Sequence, residues 1–477
     1  MAESRAVPVA HPRLSRRRGR TDRAAARRED ETEAFGRRAV ELSRFYGGKI
    51  ETVPKVPVRS LEDFALWYTP GVAAVSRAIE ADPELAFELT GRWNTIAIVT
   101  DGSRVLGLGD IGPRAALPVM EGKALLFKWL GGDDAIPLPI HVKSPEEFIE
   151  TVERLAPAFG GINLEDIASP KCFGILEALQ HRLPIPVWHD DQLGTAASSI
   201  AGLLNALELT HRTVGELRTV LLGAGAANLV TARLLLALGH DPKRISLVDS
   251  LGILDAERDD VDELMLRNPW KYRLALETNG GGRSGGLAEA VEGADVLLAA
   301  SRPDPSTIAP ELVRSMAPHP IVFALANPVP EIWPDVARAA GAAIVATGRS
   351  DFPNQVNNSL IFPPVFRGVL DARATAIPDA VVLAAARELA ARAHDRGLSP
   401  THLLPTMEET RVFPHVAAAV GDACVRLGIA RHRLTHDEFF ERATARMGRP
   451  AALVKALARA GLTPPMPPVP AERKRGR

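Results

Sequence analysis

The chain has 477 residues, of which 46% are hydrophobic and 24% are charged. A single compact domain rarely exceeds ~250–300 residues, so at least two domains are expected. Lysine and arginine total 57 against 58 acidic residues, a balance that excludes bulk attraction to nucleic acid or to an anionic membrane. No apolar run approaches the ~18 residues of a membrane helix. Two cysteines exclude a disulfide framework and a four-cysteine metal site, and they favour a reducing, cytoplasmic setting.

Both ends of the chain are predicted to be disordered tails. The N-terminal tail is predicted over residues 1–33. Its first 28 residues contain nine arginines and only two acids, and no apolar stripe follows them. A mitochondrial transit peptide is also rich in arginine, but the missing stripe favours a disordered basic tail over an address signal. Residues 463–477 are rich in proline and charge and are predicted to be the second tail.

Between the tails the sequence alternates strands and helices. Apolar runs of strand length end at Gly, Asp or Asn, and segments of helical periodicity lie between them. The predicted strands include Thr95–Val99, Ile185–Trp188, Thr219–Leu222, Ile245–Val248, Val296–Ala299 and Ile321–Ala326. The predicted helices include Ala115–Leu130, Ala196–Glu208 and Leu229–Leu238. This rhythm predicts parallel, doubly wound sheets with ligand sites at the C-terminal ends of their strands.

The predicted fold class is α/β, with two domains and a helical C-terminal end. A smaller N-terminal α/β domain is expected over residues 34–190 and a Rossmann-type domain over residues 191–375, with the boundary within Pro184–Thr210. From about Pro378 the alternation gives way to consecutive helices, which are expected over residues 376–462.

Two predicted strands end in adjacent acids. Glu165 and Asp166 lie in INLEDI, and Asp190 and Asp191 lie in VWHDDQLGTA. Neighbouring side chains of a regular strand point to opposite faces, so both acids of a pair reach one ligand only where the strand is ending. Carboxylate oxygens suit Mg²⁺ or Mn²⁺, and the lack of Cys/His spacing argues against zinc. A single such acid is more often a loop end or a helix cap, whereas two pairs favour a divalent-metal site.

The segment TVLLGAGAANLVTARLLLALG has the order of a dinucleotide site. Gly223 and Gly225 follow a predicted strand, and a helix with Ala226 near its start comes next. The first glycine makes a tight turn, the second lets the backbone approach a pyrophosphate, and the helix N-terminus supplies amide donors. Asn228 replaces the usual third Gly or Ala, which predicts a wider approach of helix to sheet. The alternative is a structural glycine turn that binds no nucleotide.

Asp249 ends the next predicted strand, 24 residues after Gly225. An acid at this place accepts a hydrogen bond from a ribose 2′-hydroxyl and repels a 2′-phosphate, which favours NAD over NADP. The alternative is an ordinary surface acid at a strand end.

Together these segments resemble the malic enzyme family in its compact bacterial form. The similar segments are collinear over about residues 45–375, and several are long and specific. They are VPKVPV from Val53, YTPGVA from Tyr68, VTDGSRVLGLGDIGP from Val99, MEGKALLFK from Met120, INLEDI, HDDQLGTA, GAGAAN, ALANPVPEI from Ala324, and ATGRSDFPNQVNNSLIFPPVFRG from Ala346.

The resemblance implies oxidative decarboxylation of L-malate to pyruvate and CO₂, with NAD or NADP and with Mg²⁺ or Mn²⁺. It makes residues 34–190 the substrate domain and 191–375 the NAD-binding domain. Carried over by motif, the catalytic residues are Tyr68 and Lys123, the metal ligands are Glu165, Asp166 and Asp191, the substrate-binding residues are Arg104, Asn327 and Asn357, and the cofactor-binding residues are Gly223, Gly225, Ala226, Asn228, Asp249 and Asn327. Asp190 is expected to orient its neighbours, and Asn358 is an alternative to Asn357.

The implied chemistry sets requirements on these residues. Lys123 accepts the C2 hydroxyl proton only when neutral, so its pKa is expected to be lowered by burial or by the metal charge. Tyr68 is expected to protonate the enolate at C3. The family tends to form dimers, so a homodimer is expected. The sequence leaves open whether Tyr68 and Lys123 act in one subunit.

The sequence departs from the family pattern at Leu193, Asn228 and Pro364. Pro364 stands where glycine is usual, so a turn there must avoid a positive φ and lacks an amide. Three other functions stay open: a malolactic enzyme that releases lactate, an oxaloacetate decarboxylase that uses the metal site alone, and a catalytically silent ligand-binding or scaffold protein. Production of reduced nicotinamide from malate separates these functions.

Overall fold

The computed structural model describes residues 32–468. The predicted tails therefore lie mostly outside the described residues. At the N-terminal side, residues 32 and 33, which were assigned to a tail, belong to helix α1 (residues 32–46). At the C-terminal side, residues 463–468 have neither helix nor strand. The described residues divide into two compact units, one of residues 32–51 and 454–468 and the other of residues 52–453. Within the first unit, the Tyr46 hydroxyl donates to the Pro464 carbonyl at 3.2 Å.

The second unit begins with helices and a four-stranded parallel sheet of order β2-β1-β3-β4. The strands are β1 (Thr95–Thr100), β2 (Asp134–Pro139), β3 (Gly161–Leu164) and β4 (Val187–His189). The helices of this part are α2 (Leu61–Trp67), α3 (Val72–Ala81), α4 (Ala86–Leu89), α5 (Gly112–Leu126), α6 (Pro145–Leu155) and α7 (Lys171–Arg182). Leu164 pairs with both Val99 and His189, so β1, β3 and β4 end level with one another. The residues that follow these three strands therefore meet at one edge.

A long buried helix, α8 (Thr195–Leu209), leads to a second sheet of order β10-β9-β8-β5-β6-β7. Its strands are β5 (Thr219–Leu222), β6 (Ile245–Asp249), β7 (Gly252–Ile253), β8 (Val296–Ala299), β9 (Ile321–Ala324) and β10 (Ile344–Thr347). The helices are α9 (Ala226–Ala237), α10 (Val261–Arg267), α11 (Pro269–Glu277), α12 (Leu287–Val291), α13 (Pro310–Arg314) and α14 (Pro334–Ala339). Only β7 is antiparallel among these strands. After β5 the chain adds β6 on one side and β8 on the other, which creates a crevice at their C-terminal ends.

Four further helices complete the described chain: α15 (Phe362–Asp371), α16 (Asp379–Arg392), α17 (Phe413–Arg426) and α18 (His436–Arg459). The predicted fold class, α/β with a Rossmann-type domain and a helical C-terminal end, is confirmed. Pro364 avoids a positive φ, as expected, because it lies in the first turn of α15 and not in a loop turn. A proline is tolerated there because the first amides of a helix have no intrahelical partner.

The strand predictions hold where the apolar run is uninterrupted. β5 and β8 have the predicted bounds, whereas β9 ends at Ala324, two residues before the predicted end. β2 contains Pro137 and Pro139, which interrupt the apolar run, so the sequence pattern did not predict it as a strand. It lies at the edge of its sheet, where strand prolines are tolerated.

Within residues 32–468, no helix has both the length and the apolar character needed to cross a membrane.

Candidate active site

Lys123 lies at the centre of an acidic cluster. It is carried by α5 and is 8% exposed, and its Nζ lies 2.5 Å from Asp190 Oδ2 and 3.0 Å from Glu165 Oε1. Burial alone lowers the pKa of Lys123, but the charges of Asp190 and Glu165 outweigh it and raise the pKa above its ordinary value. This direction is opposite to the predicted lowering by burial. The carboxylates by themselves therefore hold Lys123 as an ammonium ion.

The three predicted metal acids come together. Ligand oxygens of Glu165, Asp166 and Asp191 all lie within 4.8 Å of one another. Burial and the neighbouring Asp191 raise the pKa of Asp166 to about 7, and burial also raises the pKa of Glu165. Asp166 Oδ2 is buried and accepts no hydrogen bond from a described residue. Converging, mutually repelling oxygens with an unused acceptor fit a hard divalent cation.

Asp190 is held apart from this trio. It is fully buried, and its Oδ1 accepts a hydrogen bond from Trp188 Nε1 at 3.0 Å while Oδ2 faces Lys123. The turn Asp190–Gly194 is π-helical and leads directly into α8. A Cβ atom on Gly194 would lie only 2.0 Å from Asp190 Oδ1, so the carboxylate occupies the space of the missing side chain.

His189 and Cys172 are buried beside the acids but carry no charge. Burial lowers the pKa of His189 to about 3, which leaves its imidazole neutral. Burial raises the pKa of the Cys172 thiol to about 12. Both side chains therefore act as packing groups near the site rather than as titrating ones.

The loops that follow β1 and β3 are joined by a polar network that the sequence interpretation did not identify. Asp101 accepts hydrogen bonds from Ser103 and from Lys171 Nζ, the latter at 2.6 Å. The Arg104 amide donates to the Asp166 carbonyl at 3.0 Å. The Arg104 side chain is exposed. Partial burial of the Asp191 carboxylate raises the pKa of Asp191, and the positive charges of Lys123 and Arg104 act against this rise. The predicted substrate arginine thus lies on a loop that is fixed to a predicted metal ligand.

Asn327 and Asn357 meet at Gly348. Asn357 Nδ2 donates to the Gly348 carbonyl at 3.0 Å, and a Cβ atom on Gly348 would lie 2.8 Å from Asn327 Nδ2. A Cβ atom on Gly107 would lie 3.1 Å from the Asn327 carbonyl oxygen. The loop after β1 therefore approaches the loop after β9, which places the two predicted amides beside the first sheet's ligand edge.

Glu331 links the loops that follow β8 and β9. It is fully buried, its Oε1 accepts hydrogen bonds from the Ser301 amide and hydroxyl, and its Oε2 accepts from the Ala326 amide. The pKa of Glu331 is raised by burial. The motif ANPVPEI contains this acid, but the sequence interpretation assigned it no role, because its partners lie on two separate loops.

The glycine turn has the geometry of a close-approach site. Gly223 has φ +96° and a Cβ there would lie 2.4 Å from the Ala300 carbonyl oxygen, so only glycine fits. A Cβ on Gly225 would meet only open space, and Ala226 begins α9. Asn228 Nδ2 donates to the Leu222 carbonyl at 2.9 Å, so the asparagine ties the helix to β5 with a hydrogen bond where a third glycine would pack.

Asp249 lies at the end of β6 as predicted, but its carboxylate forms ion pairs with two cations of the protein, Arg258 and Lys271. Arg258 donates to both carboxylate oxygens at 2.9 and 3.0 Å, and the Lys271 ammonium contacts one of them. Burial opposes ionisation of Asp249, but the hydrogen bonds from Arg258 and Lys271 prevail and lower its pKa. Neither cation was identified from the sequence, since no local pattern connects them to Asp249.

Comparison with known proteins agrees with this arrangement. The malic enzyme N-terminal domain matches residues 47–180 and the malic enzyme NAD-binding domain matches residues 193–425. The chain belongs to the malic enzyme family. An NAD-dependent malic enzyme of Geobacillus stearothermophilus is 47% identical over 81% of this chain and 78% of the relative. A bifunctional malic/malolactic enzyme of Bacillus subtilis is 44% identical over 85% of this chain and 96% of the relative. A malic enzyme structure from Entamoeba histolytica has a TM-score of 0.89 and 41% identity, and covers 92% of this chain and 91% of that one.

Of the residues that the malic enzyme resemblance singles out, Tyr68 is the one that lies apart. It follows α2, its side chain is 69% exposed, and its hydroxyl makes no hydrogen bond to a described residue. The surrounding side chains of α2 and α3 are apolar and exposed, among them Leu61, Phe64, Leu66, Trp67 and Val72. Within residues 52–453, Tyr68 and Lys123 share no hydrogen bond or ring contact.

Proposed function

We propose that the chain is a malic enzyme that converts L-malate and NAD or NADP to pyruvate, CO₂ and the reduced nicotinamide, with Mg²⁺ or Mn²⁺. The observation that carries this proposal is Lys123 buried against Asp190 and Glu165, beside the trio of acids. A base and a set of hard ligands at one strand edge are what oxidation of a 2-hydroxy acid followed by decarboxylation requires.

Glu165, Asp166 and Asp191 would hold the divalent ion. When bound, such an ion acts as a Lewis acid on the substrate oxygen that receives electrons during decarboxylation. Asn163 donates to Glu165 Oε2 at 2.9 Å and the Asp166 amide donates to Asp191 Oδ2 at 2.9 Å, so two of the acids are oriented by further hydrogen bonds. Such support is typical of metal ligands.

Lys123, in its neutral form, would take the proton from the C2 hydroxyl while hydride leaves C2. The carboxylates alone favour the ammonium form, and the positive charge of a divalent ion held by Glu165, Asp166 and Asp191 would oppose them and lower the pKa of Lys123. The contact of Lys123 with Asp190 fixes the direction of its Nζ, and the Trp188 indole fixes Asp190 in turn. A general base must lie within hydrogen-bond reach of the proton that it removes, so this chain of contacts acts by positioning. Asn327, Asn357 and Arg104 would bind the two carboxylates of malate.

Tyr68 would donate the proton to C3 from a second copy of the chain. This proposal is supported by the exposure of the phenol and of the apolar residues around it, since contiguous exposed apolar surface commonly marks an interface. A homodimer with two-fold symmetry would bring the Tyr68 loop of each copy to the Lys123 site of the other. We place this dimer in the cytoplasm, without a nucleic-acid or membrane partner.

Mixing two inactive variants tests the shared site. Tyr68→Phe and Lys123→Ala are each expected to be inactive, and after subunit exchange an equimolar mixture should recover about a quarter of wild-type activity, because each mixed dimer keeps one intact site. No recovery in mixtures shown to exchange subunits would place both residues in the same subunit.

The function itself is tested by absorbance at 340 nm with L-malate, Mn²⁺ and NAD or NADP, together with product analysis. Metal-dependent reduced nicotinamide in equal amount to pyruvate is the expected result. The bifunctional Bacillus subtilis relative makes malolactic activity the second candidate. Lactate formed without net reduced nicotinamide would identify that activity, and pyruvate formed only from oxaloacetate would identify a decarboxylase.

A further inference from the structure

The carboxylate of Asp249 is fully engaged by the protein. Its Oδ1 accepts hydrogen bonds from the Leu251 amide at 2.8 Å and from Arg258 Nη1 at 2.9 Å. Its Oδ2 accepts from Arg258 Nη2 at 3.0 Å and from the Lys271 ammonium. A carboxylate offers about four lone-pair sites, so this pattern leaves none for a ribose hydroxyl. Only 10% of the Asp249 side chain is exposed.

The charge of Asp249 is also compensated. Arg258 bridges Asp249 and Asp260, with its Nε 2.5 Å from Asp260 Oδ1, and Lys271 also contacts Asp249. These two acids and two cations sum to zero charge. A 2′-phosphate would be repelled by an unpaired strand-end acid, but a neutral cluster of this kind does not exclude it.

Arg258 rather than Lys271 faces the open side of the cluster. Arg258 and Asp249 both line a cavity of about 970 Å³ that reaches the ends of β5 and β6. Four of the five guanidinium N–H groups are engaged, and the fifth has no partner among residues 32–468. The acids Asp255, Glu257 and Asp259 also line this cavity, but Glu257 and Asp259 are exposed, so solvent and salt screen them.

We propose that Arg258 is the charged group that a 2′-substituent of the cofactor meets, and that the chain therefore uses both NAD and NADP, with kcat/KM values within about tenfold of each other. This inference rests on the proposed malate oxidation. It differs from the preference for NAD that Asp249 predicts from sequence, because that preference requires an unpaired carboxylate.

Turnover with the two cofactors tests the inference in the full-length protein. Arg258→Ala should lower the NADP:NAD ratio of kcat/KM by at least about tenfold, because a guanidinium–phosphate pair is lost only with NADP. Asp260→Asn should raise the ratio, since it removes one negative charge and one of the two acceptor oxygens that Arg258 contacts. Arg267→Ala removes an exposed arginine that pairs with Glu263 on α10, and the ratio should stay at the wild-type value. A wild-type ratio outside the range of about 1:10 to 10:1, or an equal loss with both cofactors in Arg258→Ala, would overturn the inference.

Binding without turnover separates this inference from the proposed function. Calorimetric titration with adenosine 2′,5′-bisphosphate and with adenosine 5′-monophosphate requires no malate chemistry. The bisphosphate should bind at least as tightly as the monophosphate, and Arg258→Ala should weaken the bisphosphate at least about tenfold more than the monophosphate. If malate is not turned over but these affinities behave as stated, the proposed function fails and the ribose-site inference stands. Weaker binding of the bisphosphate to the wild-type protein would refute the inference.

Discussion

The substitution Gly194→Ala should disable the site mainly through Asp190, although the new Cβ would also lie 3.0 Å from the Cβ of Asn358. An alanine Cβ would lie 2.0 Å from Asp190 Oδ1, whereas real Cβ contacts essentially never fall under 3.0 Å. The carboxylate must therefore move by about 1 Å. Because Asp190 is fully buried and bonded to Trp188 and Lys123, this movement should loosen both contacts. A displacement of this size at a positioned catalytic group costs about 10²-fold in rate.

The same substitution should have only a small effect on folding. Gly194 has helical dihedral angles, φ −67° and ψ −46°, so alanine gains about 1 kcal/mol from helix propensity. Overpacking of a buried group costs about 1–3 kcal/mol, so the net loss of stability is about 0–2 kcal/mol. The expected signature is a large fall in kcat/KM with a nearly unchanged melting temperature.

The assay compares Gly194→Ala with Gly448→Ala, both measured for malate oxidation and for thermal unfolding. Gly448 lies in α18, and a Cβ there meets no atom within 4 Å, so its substitution carries the helix gain without the clash. Activity of Gly194→Ala within about threefold of the wild-type value would refute the claim that Asp190 must stay in place for Lys123 to act.

Three further predictions concern the base Lys123, two buried acids, and the loops that Glu331 links. Lys123→Ala should lower kcat by about 10²–10⁴-fold, as expected for a general base, while Mn²⁺ affinity measured by calorimetry is retained; lost affinity would indicate damage to the acid cluster instead. Burial raises the pKa of Asp166, and that of Asp133 beside Arg367, to about 7. In the metal-free protein their contribution to stability should be complete below about pH 4 and be lost as pH rises to about 7. Added Mn²⁺ should raise the melting temperature more at about pH 8 than at about pH 5.5, because it binds the ionised acids; an equal increase at both would contradict the assignment of Asp166. Glu331→Gln should raise the KM values for cofactor and malate about tenfold, because one backbone amide of the two linked loops loses its acceptor oxygen. Ser301→Ala is the control: it removes only one hydroxyl contact and should raise these KM values much less.

Local patterns predicted the elements of the fold well because they depend on residues close together in sequence. The run Thr219–Leu222 followed by Gly223 and Gly225 predicted both a strand and its turn, and the turn has the positive φ that makes glycine necessary. The pattern also predicts that Pro364 avoids a positive φ, which holds, but it does not predict the helix in which Pro364 lies, because proline suits both an ordinary turn and the first turn of a helix. Only the position of the helix start distinguishes these two settings.

Contacts between distant segments could not be predicted from such patterns. The pattern predicts that Asp249 accepts a hydrogen bond from a ribose hydroxyl, yet its partners in the structure are Arg258 and Lys271, nine and 22 residues away, on a loop and on α11. Glu331 likewise binds loops that follow two different strands. Whether these acids are paired depends on how whole helices and strands pack. Their pairing in turn decides the sign of the electrostatic field that a cofactor meets.

The adjacent acids Asp190 and Asp191 illustrate how one short turn divides two chemical tasks. On a continuing strand they would face opposite sides of the sheet, but β4 ends at His189 and the chain enters a π-helical turn. Asp190 then fills the space beside Gly194 and contacts Lys123, whereas Asp191, which is 37% exposed, joins Glu165 and Asp166. The buried acid therefore positions the base and the accessible acid is left for a cation. Because both assignments depend on the same turn, lengthening or shortening it by one residue should disable the proton-transfer site and the metal site together.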